Sequence, residues 1–286
     1  MKIVVKYLLH ILQINFFRQY LNNIIFIEKK EKILGKKFIQ NGYSIHKIKN
    51  KKDFQYINKK FLNFFEKECK LKIHNPQKFF NTLHNKIDEK NLNRIRLSLI
   101  NKVTLKKKFR IAYYNVAKEI LNTIVGNELA MQNSINLSIQ LPNDKSSLLA
   151  IHADTWSGDS PFEVVVWLPL VDVYKTKSMY ILPPKYYRFF EKNFLKFKHK
   201  SSTYLFDKIK KKVKWLNIKY GEFLIFNQSL PHGNVVNAEK ETRISMNCRF
   251  KGLYTPYGHK NIGDFFEPIT LKPASEIGIN YEFPKI

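Results

Sequence analysis

Only two cysteines, Cys69 and Cys248, occur in 286 residues. That is too few for a disulfide framework or a thiolate zinc site, so the chain is expected to work in a reducing compartment, the cytoplasm by default. Long apolar runs are missing as well. The most apolar N-terminal stretch, Val4 to Ile14, is broken by Lys6, His10 and Gln13 and is followed by no small-residue cleavage site. It is too short to span a bilayer, so neither a signal peptide nor a transmembrane helix is expected. This stretch reads as an amphipathic helix, packed in the core or touching a membrane surface. Acidic residues are scarce, 23 against 50 basic ones, for a net charge of +27. Such an excess suits a nucleic-acid ligand, yet only seven of the fifty cations are arginine. Arginine makes the bidentate phosphate and base contacts. The lysines therefore read as a diffuse solvated surface, with attraction to an anionic substrate, a membrane or nucleic acid as the alternative.

What is present is a core. Hydrophobic residues make up 44% of the chain and aromatic ones 14%, enough for one elaborated domain or two small ones and too much for disorder. Residues 1–126 read as a mainly helical region. Ile11, Ile14, Phe17 and Leu21 keep helical spacing, as do Phe54, Ile57, Phe61, Phe64 and Phe65 after a short strand at 42–45. A further helix is expected to run from Asn91 to Val125 and stop at Gly126.

From Ser134 the period changes to two. Ile135, Leu137, Ile139 and Leu141 alternate with Asn136, Ser138 and Gln140. Strands are also expected over 149–154, 162–171, 178–182, 213–220, 222–227, 231–237 and 242–251. Eight short strands in all suggest a sandwich or jelly-roll barrel spanning 127–251. A lysine-rich helical insertion at 183–214 reads as either a surface elaboration or a lid, and the tail 252–286 as irregular.

Three elements carry chemistry. In His152-Ala153-Asp154, strand alternation sends the imidazole and the carboxylate to one side, where they can share a metal. Eight histidines and eight aspartates give roughly 0.2 such triplets by chance, so the triplet alone is weak. His232 lies in a Pro-His-Gly turn after an apolar strand. Arg243 follows eleven residues later, on a strand whose one face reads Arg243, Ser245, Asn247, Arg249 and whose other reads Ile244, Met246, Cys248, Phe250. A buried arginine requires an anion. That anion is a ligand or a local acid such as Glu222, Glu239 or Glu241.

His152-x-Asp154, His232 and Arg243-x-Ser245, in that order on an eight-stranded barrel, resemble the Fe(II)/2-oxoglutarate-dependent dioxygenases. The stretches Trp167-Leu168-Pro169-Leu170 and 221–233 are most similar to the phytanoyl-CoA hydroxylase-like branch. The segment 151–162 resembles oxygenases of carbohydrate and aminoglycoside biosynthesis clusters. The resemblance implies a double-stranded β-helix with a helical N-terminal region packed on it. It also implies Fe(II) on His152, Asp154 and His232, and the distal carboxylate of 2-oxoglutarate on Arg243 and Ser245, with Trp167, Asn234 and Gln140 lining the pocket. Three iron positions would then stay open for the 2-oxo acid and O2. The implied reaction oxidises a C–H bond of a small molecule, a sugar or nucleotide-sugar by preference, with release of succinate and CO2. Hydroxylation is the default outcome beside epimerisation, desaturation or ring closure. Asp154 argues against a halogenase, where a small residue replaces this carboxylate. Pro183-Pro184 stands where the family's usual turn ends in Gly-Ser-His, which alters the substrate mouth. The spacing Arg243-x5-Arg249 also resembles nucleic-acid-demethylating dioxygenases. At about 3.3 Å per residue the two arginines lie roughly 20 Å apart, so one alone can anchor a given carboxylate. Arg249 then reads as a surface or supporting ion pair. A non-catalytic barrel that binds a carbohydrate or partner is the reading outside enzymes.

Overall fold

Phe54, Ile57, Phe61 and Phe65 fall on one face of helix α2 (Lys51–Cys69) and are buried there. Asn50 caps this helix by accepting the Asp53 N–H at 3.1 Å, a bond that satisfies one of its orphan donors. The computed structural model describes residues 27–284 except Lys198, so the amphipathic stretch at 4–21 lies outside the described residues. Before α2 come α1 (Lys29–Asn41) and strand β1 (Tyr43–Lys47); after it come α3 (Pro76–Asn81), α4 (Glu89–Thr104) and α5 (Lys107–Ile124). The single helix expected over 91–125 is thus two. Lys106 takes an extended conformation and opens the second helix, and Leu105 between them is 74% exposed. A straight 35-residue helix would run for about 50 Å. Breaking it lets Leu99 and Val103 on one piece, and Phe109, Ala112 and Tyr113 on the other, reach the same core.

The remaining strands are β2 (Leu129–Gln132), β3 (Asn136–Gln140), β4 (Glu163–Pro169), β5 (Tyr180–Ile181), β6 (Lys214–Trp215), β7 (Glu222–Asn227), β8 (His232–Gly233), β9 (Arg243–Gly252) and β10 (Phe266–Pro268). Among the described residues they form two antiparallel sheets. The larger has the order β1-β7-β4-β9-β2-β10 with β3 also on β9, and the smaller the order β6-β5-β8. Strand β9 is the spine. It pairs with β4 along one edge and with β3 and then β2 along the other. Its apolar face, Ile244, Met246, Cys248 and Phe250, is fully buried, with the Tyr114 ring of α5 packed 6.3 Å from that of Phe250. Tyr113 of α5 donates a hydrogen bond to the Val166 carbonyl at 2.9 Å. The helices therefore cover one face of the large sheet, and its polar face is left toward the small sheet.

Several expected strands are shorter or missing. Residues 149–154 contribute only a bridge from His152 to His232, 213–220 only β6 and a bridge at Ile218, and 231–237 only β8. Apolar content marks these segments as buried, yet their backbone turns instead of extending. The tail is more regular than its prolines suggest. It adds β10 as an edge strand on β2 and a helix, α9 (Pro273–Ile279). The insertion is helical, with α6 (Pro184–Lys192), α7 (Phe194–Phe197) and α8 (Ser202–Ile209). Its Phe190, Leu205 and Ile209 pack with Ile151, Tyr180 and Leu182 in a second apolar cluster.

Candidate metal centre

His152 and His232 exchange two backbone hydrogen bonds, His152 N to the His232 carbonyl at 3.0 Å and the reverse at 2.8 Å. This bridge brings their rings to a centroid distance of 4.2 Å. Immediately afterwards the chain enters a 3-10 turn, Asp154–Ser157, whose Asp154 N–H is anchored on the Gln228 carbonyl at 3.1 Å. The turn carries Asp154 Oδ1 to 3.6 Å from His152 Nε2. Bridge and turn together, in place of a continuous strand, put the carboxylate beside the imidazole. Ligand atoms of His152, Asp154 and His232 all lie within 4.8 Å of one another.

The tautomers follow from the partners. His152 Nδ1 faces the Ala150 carbonyl at 2.8 Å and His232 Nδ1 the Leu230 carbonyl at 2.8 Å. A carbonyl only accepts, so each Nδ1 carries the hydrogen and each Nε2 keeps its lone pair for a metal. Burial pushes His232 down to about 4, so it is neutral at physiological pH. Two imidazoles and a carboxylate with open space beside them form the 2-His-1-carboxylate donor set that suits ferrous iron.

These residues wall a cavity of about 320 Å³ that also takes in Trp167, Asn234, Arg243 and Arg249. Arg243 is 4% exposed. Its guanidinium donates to Ser138 Oγ at 2.9 Å and more weakly to the Ser178 carbonyl at 3.4 Å. Among the described residues its Nε has no partner, and neither do the buried Ser245 and Ser178 hydroxyls or the Gln140 side-chain oxygen. Burial alone lowers Arg243 to about 10. The acids that could have neutralised it are engaged elsewhere: Glu241 with Lys177 at 2.7 Å, Glu239 with the Thr176 hydroxyl, Glu222 with the Lys219 N–H. A buried guanidinium with no carboxylate partner among the described residues has unused capacity to hold an anion.

Trp167 sits opposite Asn247 in the β4–β9 register. The Asn234 side chain accepts from Leu149 N at 2.6 Å, which ties the 147–149 loop to the cavity wall. Gln140 pairs with Arg243 across β3 and β9, but its amide donates away from the cavity, to the Val235 carbonyl at 2.6 Å. Neither Gln140 nor Ser245 is among the lining residues, and none of 183–214 is. Ser138, Asn136 and Asn247 line it. All three occupy the polar positions of alternating strands, which was the available signal.

Arg249 lines the same cavity as Arg243 and is not a surface pair. Its side chain is 14% exposed, with Nη2 3.1 Å from Asp154 Oδ1 and Nη1 2.6 Å from Asp159 Oδ2.

The sequence matches no protein-family model. It matches no curated protein either. The fold is similar to that of solved structures. The non-heme monooxygenase ThoJ, in its nickel complex, superposes over 85% of each chain with a TM-score of 0.52 at 11% identity. EctD from S. alaskensis, solved with 2-oxoglutarate and 5-hydroxyectoine, covers 81% of this chain and 78% of its own, with a TM-score of 0.51 at 13% identity. The chain has the fold of the non-heme oxygenases. The resemblance read from its sequence therefore holds at the level of fold. No helix of the described residues is long and apolar enough to cross a membrane.

Proposed function

We propose that the protein is an Fe(II)- and 2-oxoglutarate-dependent oxygenase acting on a small molecule in the cytoplasm. On this reading its two sheets form a double-stranded β-helix over 127–251, carrying the described helices of 29–124 on one face, with the tail beginning at Gly252. The observation that carries the proposal is a single cavity with a three-ligand cluster and a buried, acid-free arginine on its walls.

His152, Asp154 and His232 would hold the iron. With 2-oxoglutarate and O2, ferrous iron supplies a two-electron oxidation of a C–H bond, one oxygen atom going to the substrate and one to succinate as CO2 leaves. Arg243 would hold the distal carboxylate of 2-oxoglutarate by charge-assisted hydrogen bonds. Ser245 would assist it from behind the cavity lining, its buried hydroxyl having no other partner among the described residues. Trp167 and the Leu149–Asn234 pair wall the cavity, and Gln140 backs Arg243 from the neighbouring strand. Hydroxylation of a carbohydrate-pathway or other anionic metabolite fits the +27 charge, which raises the local concentration of anions.

The test is anaerobic addition of Fe(II) and 2-oxoglutarate, followed by air. The expected result is a visible charge-transfer band, then succinate formed at a rate that depends on iron. No band and no succinate above the metal-free control would overturn the proposal.

A further inference from the structure

Asp154 offers the proposed metal one carboxylate, and something must stop that carboxylate from swinging. Its 3-10 turn ends at Gly158, φ +86°. The segment 256–260 from the far end of the chain is laid across the residues that follow. His259 N donates to the Gly158 carbonyl at 2.9 Å, its Nδ1 to the Ser157 carbonyl at 3.0 Å, and the Ser160 hydroxyl to the Pro256 carbonyl at 2.5 Å. The approach is so close that a Cβ on Gly258 would lie 2.3 Å from the Gly158 carbonyl oxygen and 2.7 Å from Ser160 N. This strap delivers Lys260, whose Nζ is 2.6 Å from Asp159 Oδ2.

Asp159 is 5% exposed and takes the Arg249 guanidinium on the same oxygen at 2.6 Å. Arg249 reaches Asp154 with its other arm, and Glu163 stands 3.8 Å away. Phe265 lies under both cations, its ring centroid 5.4 Å from the Arg249 guanidinium carbon and 4.8 Å from Lys260 Nζ. Three acids, Asp154, Asp159 and Glu163, thus surround two cations. The guanidinium is held at Nη1 and can present Nη2 to Asp154 in one orientation only, because its donors form a rigid planar fork.

We propose that Arg249 is a positioning residue that fixes the Asp154 carboxylate for the metal, and that the C-terminal strap holds Arg249 in place through Lys260 and Asp159. The inference rests on the metal-site reading above. It adds that a segment about a hundred residues downstream of the ligand is part of the centre.

Long-range charge and positioning predict opposite signs, which makes the idea testable. Removing a cation beside a divalent-metal site tightens binding by Coulomb's law, whereas removing a residue that orients a ligand weakens it, typically about 10–100-fold. Co(II) affinity is to be measured by anaerobic titration of the full chain and of Arg249→Lys, Lys260→Met and Lys260→Arg. Arg249→Lys keeps the charge and loses the fork; about 10-fold weaker binding is expected. Lys260→Met should also weaken binding, several-fold, and Lys260→Arg should restore it. Thermal unfolding of the metal-free variants checks folding. The Lys260 side chain is 31% exposed, so the Lys260 variants carry the test should Arg249→Lys fail to fold. Affinity equal to or tighter than that of the unsubstituted chain in folded Arg249→Lys or folded Lys260→Met overturns the inference while leaving the metal site standing. If the unsubstituted chain itself binds no Co(II), the metal-site reading falls and this inference with it.

Discussion

Arg243 donates to Ser138 Oγ at 2.9 Å across paired strands, and that hydroxyl is the partner it has where a buried guanidinium ordinarily has a carboxylate. The contact leaves a positive charge unneutralised inside the cavity that also holds the His152, Asp154 and His232 cluster. Under the proposed function, charge and donor set would be complementary halves of one chelating site.

The donor set is tested by deletion. His152→Ala and Asp154→Ala should each abolish the anaerobic band formed with Fe(II) and 2-oxoglutarate, because two remaining ligands bind a ferrous ion poorly. An unchanged spectrum in either variant rejects the ligand assignment.

Arg243 should show two opposed effects. Arg243→Met is expected to raise the 2-oxoglutarate requirement, at a cost of about 2–5 kcal/mol for the lost buried charge pair, while Co(II) affinity stays near that of the parent. Without any ligand the same variant should be more stable, by roughly 1–3 kcal/mol, since an uncompensated buried charge is gone. Thermal unfolding and cosubstrate titration read the two effects separately. Unaltered cosubstrate affinity would place the anchor elsewhere.

Lys251 governs a pH effect. It is fully buried, donates to the Thr255 and Pro256 carbonyls at 2.9 and 2.8 Å, and burial pushes it down to about 8. In the unfolded chain a lysine titrates near 10.4. Between these values the unfolded state binds the extra proton, so this group makes stability rise with pH from about 8 to about 10.4, by up to about 3 kcal/mol. Urea unfolding across that range should show a flatter profile in Lys251→Met than in the parent. Parallel profiles would mean that Lys251 titrates normally.

Gly258→Ala should loosen the strap. Its Cβ would meet backbone atoms at 2.3 and 2.7 Å, which cannot rotate away as a side chain would, and the expected loss is about 1–3 kcal/mol. A melting temperature equal to that of the parent would show that the strap has room to move.

The alternation of residues 243–250 was enough to say which side chains face the helices and which the cavity, because in a strand the side is set by parity alone. The same holds for the buried face of α2, set by spacing of three and four. The residue types at 152, 154, 232 and 243 likewise raised metal and anion chemistry as an expectation before any contact was known, and the structure brings the four to one cavity.

What the linear order left open was partnership. Whether Arg243 meets an acid depends on which strands lie beside it, and its Ser138 partner is 105 positions away. Arg249 finds Asp159 across 90 positions, a contact that a distance measured along one strand could not reveal. Local pattern also misjudged the segments that turn. Residues 149–154 are as apolar as a strand, but one bridge and a helical turn satisfy their backbone and aim two ligands at one point. Burial side and chemical type are local properties of the chain. Convergence is not, because it is decided by loop closures and close packing between segments that the sequence keeps far apart.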